Sequence, residues 1–86
     1  MNKLKVLENF MSTLKLQGVC GFHVMEDDLG FQIILLLDKE YVNGTKPGFI
    51  AERLRVFVFN EIKNYLGVED VYIGSTIGDC NKINSR

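Results

Sequence analysis

The chain is poor in the residues that most often announce chemistry: one histidine, His23, two cysteines, Cys20 and Cys80, and one proline, Pro47. A lone histidine with no cysteine, serine or second histidine at a matching spacing builds neither a catalytic triad nor a metal site. The two cysteines are too few and too widely spaced for a disulfide framework or a CxxC metal site. The expectation is a buried Cys20 and a Cys80 thiol in the tail, both reduced. The acidic stretch Glu26-Asp27-Asp28 lacks the D-x-D-x-D-G spacing of a calcium loop, and three adjacent acids in a turn are ordinarily solvated. No metal, cofactor or catalytic residue is expected, and no enzyme.

Long apolar runs are also missing. The longest wholly aliphatic stretch, Ile33 to Leu37, falls far short of the ~20 residues a membrane span needs. Near the N-terminus, Glu8, Asn9, Ser12 and Thr13 interrupt anything that would serve as the apolar stretch of a signal peptide. A cytoplasmic protein without a membrane partner is expected. Runs of one charge sign are absent too, and ten basic against eleven acidic residues leave a net charge of −1. Nucleic-acid binding would therefore need a local patch, because the whole-molecule field does not attract polyanions.

What is present is enough apolar material for a core. Of the 86 residues, 47% are hydrophobic, with six Phe and three Tyr, so a domain of this size needs no metal or disulfide staple. The length allows one domain, expected over residues 1–75, followed by a polar tail over residues 76–86 in which Ile77 and Ile83 are isolated. Ile77 is placed to extend the last strand.

Periodicity gives the elements. Leu4, Leu7, Met11 and Leu14 recur at three and four, which marks an amphipathic helix closed by Gly18. From Val19 to Glu26 the pattern alternates, with Cys20, Phe22 and Val24 on one face and His23 and Met25 on the other. Glu26 to Gly30 reads as a turn in which carboxylates bond nearby N–H groups and Gly30 takes positive φ. Phe31 to Asp38 returns as a strand apolar on both faces, hence central or covered twice. Lys39 to Gly48 is a connection, with Asn43-Gly44 as a turn signal and Thr45 or Lys46 at a helix cap. Val68 to Ser75 is a short third strand.

The stretch Glu52 to Ile62, ERLRVFVFNEI, fits period 2 as well as period 3.6. Pro47 suits a first helical turn and Gly67 a left-handed C-cap, so a helix ending at Leu66 is expected. On its wheel Ile50, Ala51, Leu54, Val58, Ile62 and Tyr65 share the core side, which leaves Val56 and Phe59 near the polar side and Phe57 at a boundary. The fold expected is α+β: a two-layer α/β sandwich of order α-β-β-α-β, three strands carrying two helices on one face. Strands 1 and 2 form a hairpin, and a parallel strand 3 would use the long helix as its crossover. His23, Met25, Ile34 and Leu36 then lie on the open sheet face.

In outline this order resembles prokaryotic-type KH domains, which implies RNA binding. Their GxxG loop joins two helices, whereas here the nearest text is the G-x-x-x-G of Gly44 to Gly48, ahead of one helix. Domains like the C-terminal part of NifU share the outline as well, but carry a CxxC for iron–sulfur transfer that this chain lacks. Neither resemblance transfers a functional residue.

Two function classes follow. The preferred expectation is a non-enzymatic interaction, inhibitor or accessory protein that self-associates through apolar surface on the second helix or the open sheet face, with Val56, Phe59, Arg53 and Lys63 as partner contacts. Its small size, Asn and Lys content and lack of catalytic motifs suit a phage or mobile-element accessory protein. The alternative is a KH-like nucleic-acid-binding module. Its Gly44 to Gly48 loop precedes a helix N-terminus, and Lys39, Gly44, Thr45, Lys46 and Gly48 would contact an anion.

Overall fold

The computed structural model describes residues 2–43 and 47–80. Helix α1 (Lys3–Thr13) is followed by strands β1 (Val19–Asp27) and β2 (Gly30–Asp38), helices α2 (Lys39–Val42) and α3 (Pro47–Leu66), and strand β3 (Val71–Gly78). β1 and β2 pair antiparallel, β2 and β3 pair parallel, and β2 is the central strand. This is the expected α+β sandwich with one extra short helix, α2, inside the segment read as a connection. Asp38 caps α2 by accepting from the Glu40 N–H, and Val42 is buried.

The hairpin turn works as its sequence requires. One carboxylate oxygen of Asp27 accepts from the N–H groups of Leu29 at 2.8 Å and Gly30 at 3.1 Å, and Gly30 adopts φ 139°. The next N–H, that of Phe31, donates at 2.8 Å to the carbonyl of Asp70, which brings the start of β3 against the start of β2. A Cβ on Gly30 would collide with that Asp70 carbonyl oxygen, so glycine is needed there on two counts.

Along β2 burial alternates strictly. Phe31, Ile33, Leu35 and Leu37 are buried under the helices, and Gln32, Ile34 and Leu36 are half-buried on the other face. The register continues the buried layer across the sheet, with Val24 and Ile73 flanking Ile33. From α1, Leu7 and Met11 enter this core; from α3, Val58 and Ile62 do, and both are fully buried. Burying each such aliphatic side chain is worth about 1.5–3 kcal/mol, so this row supplies most of the favourable free energy of a domain this small.

Two boundaries and one side-chain placement depart from the sequence expectation. α1 stops at Thr13 and not at Gly18. The hydroxyls of Ser12 and Thr13 donate to the carbonyls of Asn9 and Phe10, which competes with the helical ladder, and Leu14 is already extended. Gly18, at φ 81°, instead turns the chain into β1 beneath the ring of Tyr41. β3 runs to Gly78, past Ser75, because Thr76, Ile77 and Gly78 continue the parallel register opposite Leu36, Leu37 and Asp38. Tyr65, expected in the core, is 71% exposed and packs on Phe10 with ring centroids 6.1 Å apart. The helical reading of Glu52 to Ile62 holds, and Gly67 closes α3 at φ 71° with its N–H donating to the Lys63 carbonyl.

The largest correction concerns the cysteines. Cys20 and Cys80 are joined in a disulfide across a sequence separation of 60, with Cα atoms 6.0 Å apart, so neither is a free thiol. Topology explains why linear spacing misled. β1 runs opposite to β2 and β3 runs with it, so the start of β1 and the end of β3 meet at one end of the sheet. Cys20 stands in the bulge between Val19 and Gly21, where the ladder has a residue to spare.

Candidate interaction surface

α3 lies over β3 and α1 over β1, so α3 forms one flank of the two-layer body. Its twenty residues divide around the axis at about 100° per residue. Val58 and Ile62 point into the core, with Ala51 and Leu54 beside them. Opposite stand Phe49, Val56 and Asn60, with Arg53 between, at spacings of three, four and seven that hold them in one stripe. Phe49 is 59% exposed, Val56 43% and Phe57 48%, and together with Glu52, Arg53 and Asn60 they line a shallow outer groove. The Arg53 guanidinium sits 5.7 Å over the Phe49 ring centroid, a cation–π contact between neighbouring turns.

Phe57 also reaches a second groove, shared with Gln17, Tyr41 and Ile50, where α3 meets the segment after α1 and the short α2. On the other side of α3, Arg55 and Phe59 face the start of β3 and form a groove with Glu69, Val71, Tyr72 and Ile73. Phe59 is half-buried and packs against the core, which corrects its placement on the outer side. Its position one turn from Arg55 and directly after Val58 turns it toward β3, where a wheel drawn without the sheet could not place it.

The remaining expected site residues do not gather. Lys63 pairs with Glu69 at 3.7 Å, and Lys39 with Asp79 at 3.8 Å. Gly48 is exposed in the first turn of α3 with open space beside it. Gly44, Thr45 and Lys46 lie outside the described residues. Among the described residues no three His, Cys, Asp or Glu side chains are grouped as metal ligands, and Asp27 is committed to its turn. On the open sheet face, His23 stands beside Ile34, Leu36 stands between Gly21 and Thr76, and Gln32 between Met25 and Tyr72, as the alternation in β1 and β2 predicts.

One charged pair is well formed. Glu52 and Arg55 join through both carboxylate oxygens, with the Arg55 Nε donating at 3.0 Å. The hydrogen bond from Arg55, helped by its charge, holds the Glu52 carboxyl below the usual range, and the reciprocal bond raises Arg55. Sequence reasoning missed Phe49, although its spacing of seven from Val56 and eight from Phe57 was there to be read. No helix among the described residues is long and apolar enough to cross a membrane. No protein-family model, curated protein or solved structure matches this chain.

Proposed function

We propose that this chain is a small non-enzymatic interaction protein, of the inhibitor or accessory kind, whose contact surface is the outer face of α3. The supporting observation is the outer groove of α3, lined by Phe49, Val56 and Phe57, three large apolar side chains that are all exposed. Single exposed hydrophobes are ordinary, but three lining one groove with a flanking arginine have the composition of an interface core with a polar rim. The nucleic-acid reading draws no comparable support. Lys39 and Lys63 each face a carboxylate, Arg53 lies on Phe49, and the net charge is −1.

On residence, the disulfide weighs against the cytoplasmic expectation. Disulfides are rare where thiol reductants are abundant, and the Cys20–Cys80 bond fits an oxidising compartment better. The test of function compares the wild-type chain with Val56→Ser/Phe57→Ser as baits in lysate of the cells that make it. Both positions are exposed, so stability should stay within about 0.5–1 kcal/mol while a specific captured protein is lost. Capture of the same proteins by both baits would remove this surface from consideration.

A further inference from the structure

The outer groove leaves a second surface unexplained, the edge of β3 that no other described strand pairs. Val71–Gly78 carries no charge, no proline and no bulge, three of the devices by which edge strands avoid pairing. Its second half is little covered among the described residues: Ser75, Thr76 and Ile77 are exposed, and Ile77 at 47% is an aliphatic side chain on the helix-bearing face. Above its first half stand Arg55 and Phe59. We infer that this edge pairs with the same edge of a second copy, β3 antiparallel to β3 about a two-fold axis near Gly74, with α3 alongside α3 over the seam.

The strand matches itself in that register. With Gly74 on the axis, Val71 faces Ile77 of the second copy, Ile73 faces Ser75 and Tyr72 faces Thr76. Residues directly opposite must share a face of the sheet, and these do: Val71, Ile73, Ser75 and Ile77 lie on the face with Phe31, Ile33, Leu35 and Leu37, and Tyr72 and Thr76 on the open face. The exposed Ile77 gains an apolar neighbour twice over.

The helix layer supplies the charge complementarity. Arg55 and Phe59 stand over Val71 to Ile73, and four helical residues cover about 6 Å, roughly the length of two strand residues. The next turn of α3, which carries Glu52, therefore falls near the level of Gly74 and Ser75. An axis there reverses the order of the exposed Glu52–Arg55 pair in the second copy, so that Glu52 of each chain faces Arg55 of the other and four charges alternate in sign around the axis. A foreign strand would have to bring that pattern with it, whereas a second copy has it by construction. Strand pairing alone makes a small seam, and the helix flank adds the second layer that brings it toward the ~800 Å² per partner of a stable interface.

The other edge is unsuited to the same use. β1 carries the bulge at Cys20, is tied there by the disulfide, and ends in Glu26 and Asp27. Dimerisation through β3 shares only Glu52 with the outer groove and makes no use of Phe49, Val56 or Phe57, so it does not rest on the function proposed above.

The test is sedimentation of the intact oxidised chain over a wide concentration range. The wild type should sediment with twice the mass of one chain. Ser75→Lys places an extra cation two rungs from its symmetry mate on a residue exposed in the single copy, and should weaken the dimer roughly tenfold or more. Glu52→Arg should do the same, and Glu52→Arg/Arg55→Glu should restore wild-type affinity, because the reversed pair is again self-complementary. Circular dichroism checks that each variant is folded, and Val56→Ser/Phe57→Ser should remain dimeric. A wild type that stays monomeric to about 1 mM, or a dimer that survives both Ser75→Lys and Glu52→Arg, or one lost on changing Val56 and Phe57 instead, would overturn the inference.

Discussion

The two edges of this sheet are built in opposite ways. β1 lies beneath α1, with Val24 buried, a bulge interrupting its ladder near Val19 and acidic residues at its far end. β3 lies beneath α3 for only half its length, and from Gly74 to Ile77 every residue is exposed. A hairpin delivers β1 to the sheet, whereas β3 arrives after a crossover through α3 and finds its place by parallel pairing with β2. The exposed second half of β3 belongs to a strand tied at both ends. At its start the Asp70 carbonyl accepts from Phe31, and just beyond its end Cys80 is bonded to Cys20. An edge held at its ends and exposed between them presents an outward backbone that no other described element pairs, while the other edge is interrupted by its bulge.

The disulfide is the way to make the two edges most unequal. On the chain-entropy account, closing a loop of this length restricts the unfolded chain by about 4 kcal/mol. Reduced protein should unfold at correspondingly lower denaturant, and native-state hydrogen exchange should show the amides of Ser75 to Gly78 losing protection before those of Phe22 to Met25. Alkylation of the untreated native protein should find no free thiol. Equal denaturation midpoints with and without reductant, or early loss in β1, would mean that β3 does not depend on the bond.

A second comparison tests the packing directly with one substitution on each edge. Val24→Ala removes two buried methyl groups, at about 0.8 kcal/mol each plus a cavity term, for a total near 2 kcal/mol. Ile77→Ala removes more carbon from a side chain that is half in water, and should cost under about 1 kcal/mol at concentrations where the chain is single. Urea unfolding of both variants in dilute solution reads the difference. Equal losses would show that β3 is packed as firmly as β1.

Much of the architecture was legible because local chemistry and tertiary structure agree. Asp27 and Gly30 make the turn their types suggest, Gly67 closes α3, and the doubly apolar β2 is central. The failures share a cause, since each depended on what the sheet brings together. Tyr65 and Phe59 changed sides because α1 and β3, and not the helix wheel, decide which flank of α3 is covered. Cys20 and Cys80 look unrelated along the chain and become neighbours only once β3 is parallel to β2. Strand directions alone would have placed them at one end of the sheet, and extending the strand through Ile77 would have brought Cys80 close enough to bond.

The smallest effect comes from the charged pair beside the β3 edge, and pH reads its sign. Glu52 is held below its ordinary value by the Arg55 hydrogen bond, so the native state binds its proton less readily than the unfolded chain does. The pair's contribution is therefore fully present above the ordinary glutamate range and is lost as pH falls through the lowered native value. Arg55, raised by the same bond, stays protonated throughout this window. Thermal melts of wild type and Glu52→Gln should differ slightly near pH 7 and converge in strong acid, where the wild-type carboxyl is neutral too. A gap that persists or widens in acid would mean that Glu52 acts through packing and not through charge. Protein concentration sharpens the comparison of edges: if Glu52 also faces Arg55 of a second copy, the gap near pH 7 should grow as the protein is concentrated, and for a pair serving only its own helix it should not change.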